Sequence, residues 1–248
     1  MAVDAYQGIF VVAVFLGAIV QGFSGFAFSA VAGAILLQVQ PPSDAIPVLM
    51  ICSLLIQGYV LFRLRTVVSL RESLPYIVAG SGGVVLATLV FSQIDPSLFR
   101  QMFGICLVIY AASIALRPRS ALVTNRDGPL SKTAVGFAGG FVGGLTAMPA
   151  VVLVMWGDIV GMPRLAQRAI VQPFIAAMQS IGLVSLWFTT PAATIDVVAR
   201  LPLALPAMLA GAALGLFLFK RIGDAGFRRA ISVLLFSSGV LLIACDRL

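Results

Sequence analysis

The chain has 248 residues, of which 60% are hydrophobic and 10% are charged, and its formal net charge is +7. Water-soluble domains are about half apolar and about a quarter charged, so this composition excludes a soluble fold. The basic residues lie in short clusters between apolar runs. That distribution is typical of membrane topology signals and not of a nucleic-acid-binding face.

Eight apolar runs follow one another along the chain. Six have the length, about 20 residues, that an α-helix needs to cross a bilayer. The runs lack the polar and apolar alternation of membrane β-strands, so we expect helices. They cover residues 8–38, 45–62, 74–92, 98–116, 134–160, 169–188, 201–219 and 229–245.

The first and fifth runs are too long for one crossing. As one helix, run 8–38 would be about 46 Å long at 1.5 Å per residue. Small residues interrupt both runs near the middle, at residues 21–25 and 143–149. Each run therefore predicts a broken hairpin with two short legs, and we expect the second leg to begin just after Ser24 in the first and just after Thr146 in the second.

A duplication relates the two halves of the chain. At a shift of 122 residues, apolar, small and polar positions of the first half fall on similar positions of the second. The matched pairs include Phe15 and Phe137, Gly17 and Gly139, Gly22 and Gly144, Ser24 and Thr146, and Gln57 and Gln179. We predict a first membrane repeat at 1–116, a cytoplasmic linker at 117–132 and a second membrane repeat at 133–248.

The positions of Lys and Arg predict which runs cross the membrane, because these residues concentrate on the cytoplasmic side. Eight crossings leave nine of them inside and seven outside, which is no bias. If run 134–160 instead enters and returns on one side, thirteen lie inside and three outside. Run 8–38 has no Lys or Arg, so its hairpin is predicted from the duplication alone.

These observations predict an all-α integral membrane protein made of two inverted repeats. Each repeat is a re-entrant or broken helical hairpin plus three transmembrane helices, which is the plan of many secondary transporters.

The two breaks form the predicted binding site. Non-helical backbone at membrane depth is tolerated only where protein buries it or where it lines a cavity. The free N–H groups and the positive dipole end of each second leg would attract an anion. The candidate substrate-binding residues are Gly22, Phe23, Ser24, Gly25, Gln57, Gly143, Gly144, Thr146, Ala147 and Gln179.

Each candidate also has a purely structural interpretation. Ser24 and Thr146 would cap their legs, and the glycines would let helices pack closely, as small residues do in membranes. Gln57 and Gln179 either face the cavity as a symmetrical pair or link helices by hydrogen bonds. Ser53 and Gln172 share the faces of these two residues and are weaker candidates. Arg164 and Arg168 at the inner mouth either attract anions or are ordinary positive-inside residues.

Other function classes lack the residues that they need. The chain has no His and one glutamate, Glu72, so we predict no intramembrane proton relay and no enzyme. Its three cysteines show no metal-ligand spacing, so we predict no metal and no cofactor. The alternatives that stay open are a transporter of another small organic or inorganic anion, a membrane enzyme or partner subunit, and a cation transporter.

The residues around the breaks resemble those of a known family. They are GAIVQGFSGFAFSAVAGAILL, followed by Pro41-Pro42 and Arg63-Leu64-Arg65, and GFAGGFVGGLTAMPAVVL in the second half. Over residues 8–245 the chain is similar to the sulfite exporter TauE/SafE family of membrane permeases.

The resemblance implies the substrate and the setting. It implies transport, as an exporter, of a small sulfur-containing anion such as sulfite, thiosulfate or an organosulfonate. The membrane would be the bacterial cytoplasmic (inner) membrane. The implied partners are that small anionic substrate and the lipid bilayer, with no nucleic acid, and a homo-oligomer is left open. The matched site positions are residues 22–26 and 143–149.

Overall fold

The computed structural model describes residues 2–63, 68–116, 128–189, 191–221 and 224–245. Within these ranges the chain forms ten α-helices and no strand, so the predicted all-α class is confirmed. The first half contains α1 (Ala2–Ser24), α2 (Phe28–Leu36), α3 (Pro42–Arg63), α4 (Leu70–Phe91) and α5 (Pro96–Ala115). The second half contains α6 (Pro129–Thr146), α7 (Ala150–Ile159), α8 (Arg164–Thr189), α9 (Pro191–Arg221) and α10 (Asp224–Cys245).

Among the described residues, six helices are long and apolar enough to cross a membrane. The candidate spans are Tyr6–Ser24, Pro42–Phe62, Leu70–Phe91, Pro96–Ala115, Leu165–Thr189 and Leu201–Leu218. Two further apolar helical segments are shorter, Ala150–Ile159 in α7 and Ser232–Ala244 in α10. The chain is therefore a multi-pass membrane protein.

The chain reverses direction at both breaks. A Cβ added at Gly17 in α1 would lie 2.9 Å from the ring of Phe28, and one at Gly139 in α6 would lie 2.7 Å from Leu153. Each second leg therefore folds back along its first leg, and glycine allows the close approach. The legs are unequal, with 23 and 9 residues in the first hairpin and 18 and 10 in the second. The expectation of two short legs is therefore wrong for the first hairpin, because α1 is long and apolar enough to cross a membrane.

The first leg of each hairpin packs against a helix of the opposite half. α1 lies along α9, where a Cβ added at Gly211 would be 2.6 Å from the carbonyl oxygen of Phe15. α6 lies along α4 in the same way, with Gly136 facing the carbonyl oxygen of Tyr76 at 2.6 Å. Small residues thus bring the backbones of the two halves together, as is usual between membrane helices.

Equivalent helices of the two halves pair in antiparallel fashion. In the α5 and α10 pair, Ser232 donates to the carbonyl oxygen of Ala111 over 2.8 Å, while Gly104 lies against Gly239. α3 and α8 run antiparallel in the same manner. An inverted duplication predicts such pairs, and the orientation of the two halves in a membrane stays a prediction.

Of the linker predicted at 117–132, residues 117–127 lie outside the described residues. Its last residues belong to α6, which begins at Pro129 with Gly128 as its N-cap. Proline suits this first helical position because its missing N–H would have no intrahelical partner there.

Candidate functional site

The two breaks face each other across a small cavity. Its volume is about 20 Å³, which is room for roughly one water molecule. None of the residues described around it carries a charge. The lining residues are Gln21, Phe26, Ala27, Phe28, Ser29, Ser53, Ala147, Met148, Pro149, Ala150, Val151, Ile175 and Gln179.

The breaks share one backbone geometry at positions 122 residues apart. The N–H of Gly25 donates to the carbonyl oxygen of Gln21 over 2.7 Å, and that of Ala147 donates to Gly143 over 2.8 Å. Gly25 has φ +87° and Ala147 has φ +55°, so a left-handed residue ends each first leg. This is a common way to end a helix, and it turns the chain toward the second leg.

Ser24 and Thr146 point their hydroxyl groups back into their own first legs. Ser24 Oγ donates to the carbonyl oxygen of Val20, and Thr146 Oγ1 donates to that of Val142, each over 2.7 Å. Ser24 Oγ also contacts the carbonyl oxygen of Phe26 in the break and accepts from the Phe26 N–H over 3.2 Å. The expectation that the second legs begin just after these residues is wrong, because α2 begins at residue 28 and α7 at residue 150. Neither hydroxyl lines the cavity.

The N-terminal ends of α2 and α7 lie at the cavity without a side-chain cap. Their N-cap residues, Ala27 and Pro149, make no capping hydrogen bond. The first N–H groups of a helix lack intrahelical partners, and the helix dipole makes this end positive. The first residues of both helices line the cavity, so two positive helix ends meet at one place.

Two buried polar atoms at the cavity have no hydrogen-bond partner, Ser29 Oγ and Gln179 Oε1. Ser29 is 2% exposed and Gln179 is 1% exposed. A buried polar atom without a partner costs about 1–3 kcal/mol, so such atoms indicate a missing water or ligand. Ser29 is not among the predicted site residues, although it is the one polar side chain in the sequence of α2.

Gln57 lies behind the cavity and does not line it. Its Oε1 accepts from Gln21 Nε2 over 3.1 Å, and its Nε2 donates to the carbonyl oxygen of Gln172 over 3.1 Å and to the Gln172 side chain. Gln172 in turn donates to the carbonyl oxygen of Gly25 over 2.9 Å. For Gln57 the structure shows the interhelical link, whereas its sequence equivalent Gln179 lines the cavity.

The glycines near the breaks pack against protein and not against open space. A Cβ added at Gly22 would be 2.5 Å from the carbonyl oxygen of Ala212 in α9, and one at Gly144 would be 2.7 Å from Ala87 in α4. A Cβ at Gly143 would be 2.5 Å from Pro149, which folds back over it. These glycines thus pack closely against other parts of the chain, and their contact with a substrate stays a prediction.

α8 also holds the first break through side chains that do not line the cavity. Arg168 Nη2 donates to the carbonyl oxygen of Phe23 over 3.3 Å, next to the contact between Gln172 and Gly25. A positive side chain at the end of α1 stabilises the negative end of that helix dipole. Of the weaker candidates, Ser53 lines the cavity, and the side chain of Arg164 lies outside those described.

Of the ten predicted site residues, the structure places Ala147 and Gln179 in the cavity lining. The others support the breaks through backbone geometry, hydrogen bonds or close packing. Ser29, Met148 and Pro149 join the lining from positions near the predicted ones.

Interrupted helices that meet inside a helical membrane bundle are a feature of many membrane transporters. A protein-family model described as "Sulfite exporter TauE/SafE" matches residues 9–242. Because this match spans nearly the whole chain, the protein belongs to the TauE/SafE family of membrane permeases. No curated protein and no solved structure matches the chain.

Proposed function

We propose that the protein exports a small sulfur-containing anion, such as sulfite, thiosulfate or an organosulfonate, across a bacterial inner membrane. The observation that carries this proposal is the meeting of two uncapped helix ends, those of α2 and α7, at one buried cavity. Membership of the TauE/SafE family supports the choice of a sulfur-containing anion.

The charge at this site suits a small anion. Each helix N-terminus carries roughly half a positive charge, so two of them offer about one charge at a cavity whose lining has no Lys or Arg. Ser29 Oγ adds a hydrogen-bond donor from the first turn of α2. Partial charges of this kind bind an anion without the strong attraction of a buried ion pair, which favours release as well as entry.

The cavity must widen before an anion can enter. An oxyanion has several heavy atoms, and the present volume admits roughly one water molecule. Because α1 packs on α9 and α6 packs on α4, each hairpin would move together with a helix of the opposite half. Transport would then alternate between separation of the hairpins on one side and on the other, as in other transporters with broken helices.

Flux measurements in proteoliposomes test this function. With the membrane potential set by a potassium gradient, we expect saturable, potential-driven flux of labelled sulfite. Ser29→Ala should lower the apparent affinity about tenfold or more, since a hydrogen bond to a charged group contributes about 1.5–3 kcal/mol. Ser81→Ala is the matched control, because its hydroxyl donates to Ile77 within α4 and does not line the cavity.

A panel of competing anions separates the proposal from its alternative. Competition by thiosulfate and sulfonates, but not by carboxylates or chloride, supports a sulfur-specific transporter. Flux of another small anion with no sulfite flux would point to the general anion transporter instead. No saturable flux of any small anion in either direction would overturn the proposal.

A further inference from the structure

Gln179 lines the cavity and keeps one buried acceptor without a hydrogen-bond partner. Its Nε2 donates to the carbonyl oxygen of Ala147 over 3.0 Å. A carbonyl oxygen only accepts hydrogen bonds, so this contact fixes which end of the amide faces Ala147. The Oε1 atom is left over, buried and without a partner, on a residue that lines the cavity.

An oxygen with free lone pairs disfavours a fully ionised oxyanion. Both atoms would be acceptors, and the buried Gln179 oxygen would stay unpaired at a cost of about 1–3 kcal/mol. A ligand that brings its own hydrogen-bond donor removes this cost. Around the same cavity, the N–H groups of α2 and α7 and Ser29 Oγ serve the ionised oxygens of the ligand.

Building on the proposed function, we infer that the site takes a singly charged oxyanion that keeps one O–H or N–H donor. Hydrogen sulfite, which keeps one O–H donor, is the simplest such ligand. The doubly charged sulfite ion has no donor and is therefore disfavoured. Its O–H would donate to Gln179 Oε1 while its ionised oxygens accept from the two helix ends.

A water molecule could occupy the cavity when no ligand is bound. It could donate to Gln179 Oε1 and pair with Ser29 Oγ, and the volume of about 20 Å³ is enough for it. A test must therefore distinguish an acceptor that recognises the ligand from one that only holds a water.

Sulfite binding to the purified protein at two pH values makes that distinction. One pH lies below and the other above the ionisation that converts hydrogen sulfite to sulfite. We expect the wild-type protein to lose affinity about tenfold or more at the higher pH, as one unpaired buried acceptor predicts. Gln179→Met removes the acceptor, so its affinity should change much less with pH.

Gln172→Met is the matched control. Like Gln179, Gln172 donates an amide to a carbonyl oxygen at a break, in its case Gly25, but it does not line the cavity. Its variant should keep the wild-type pH dependence. An equal pH dependence in the wild type and in Gln179→Met would show that Gln179 holds a water only, and it would overturn this inference while leaving the proposed function intact.

A second measurement needs no variant. If hydrogen sulfite is the transported form, sulfite uptake at the higher pH carries a proton, which is released inside as sulfite re-equilibrates. A lumenal dye should then report acidification in proportion to labelled sulfite uptake, above that in protein-free liposomes. Uptake without acidification would overturn the inference, and no saturable sulfite binding or flux at all would overturn the proposed function with it.

Discussion

Gln172 donates its side-chain amide to the carbonyl oxygen of Gly25 over 2.9 Å, while Met50 occupies the equivalent position in the first half. The second break is held differently, by Gln179 from within the cavity lining. Both amides come from α8, so one helix secures both breaks. The two halves share an order of helices, but their hydrogen bonds at the breaks are asymmetric.

This asymmetry makes Gln172→Met a test of the polar link. The change removes the side-chain donor to the carbonyl oxygen of Gly25 and one of the two acceptors of Gln57 Nε2, so we expect a loss of about 1–3 kcal/mol in the free energy of unfolding. Thermal unfolding in detergent measures it. Gln38→Met is the control, because Gln38 is exposed and donates to Ala34 in its own turn, and equal losses would contradict the prediction.

The hydroxyl groups of the breaks should matter for stability more than for binding. Ser24 and Thr146 donate to carbonyl oxygens within their own helices, Ser24 also bonds to the backbone of Phe26, and neither residue lines the cavity. We expect the double variant Ser24→Ala and Thr146→Ala to keep sulfite affinity within about threefold of wild type, while Ser29→Ala loses about tenfold or more. A larger loss of sulfite affinity in the double variant than in Ser29→Ala would show that these hydroxyls contribute to binding.

Ala27 is a place where glycine should stabilise the protein. Its φ of +78° lies in the left-handed region, which costs an alanine about 1–2 kcal/mol. Glycine at this position removes that cost and so gains stability. The greater freedom of glycine in the unfolded chain offsets about 0.4–1 kcal/mol of this gain. Ala27→Gly should therefore raise the unfolding temperature.

The matched control for that change is Ala30→Gly, inside α2. Ala30 is buried and helical, so glycine there should destabilise by about 0.5–1 kcal/mol. The two substitutions are chemically identical and should act in opposite directions. A loss of stability in both variants would refute the left-handed geometry of the first break.

Close backbone packing between the halves should make Gly136 intolerant of any side chain. A Cβ there would lie 2.6 Å from the carbonyl oxygen of Tyr76 and 2.8 Å from its Cα, and backbone atoms cannot move aside cheaply. We expect Gly136→Ala to destabilise by about 1–3 kcal/mol or to prevent folding. Gly58→Ala in α3, where nothing lies within 4 Å, should be neutral or stabilising, as judged by size-exclusion profiles and unfolding temperature.

The inverted repeat makes a prediction about sidedness. The N-terminus should lie outside, and both the 117–127 segment and the loop around residue 222 should lie inside the cell. Single cysteines at these places, labelled by an impermeant reagent in intact cells and in inverted vesicles, report the side directly. An N-terminus found inside would show that the first broken run crosses the membrane and would remove the inverted symmetry.

The sequence was sufficient to predict the helical membrane class and the two breaks. Composition and run length decide the first, and the small residues at 21–25 and 143–149 decide the second. The shift of 122 residues also predicted the equivalence of Ser24 and Thr146, whose hydroxyl bonds are of equal length in the structure. The apolar helices and the breaks are local features, so a single chain segment is enough to specify each of them.

The cavity lining could not be predicted in the same way, because it depends on which helix fills the space beside each residue. Gly22 and Gly144 were predicted to contact the substrate, yet α9 and α4 pack against them. Gln57 and Gln179 are equivalent in sequence, but their neighbours differ. Gln57 bonds to Gln172, which has no polar counterpart in the first half. Ser29 becomes important only because the second hairpin lies opposite it.

The backbone contacts of Gly211 with Phe15 and of Gly136 with Tyr76 have a consequence for the history of the chain. Each hairpin lies against a surface that the other half provides, so half a chain would leave its glycine-lined faces uncovered. A gene split within 117–127 should give two fragments that accumulate only when they are made together. An ancestor of half the length would have required a second copy of itself before it could fold.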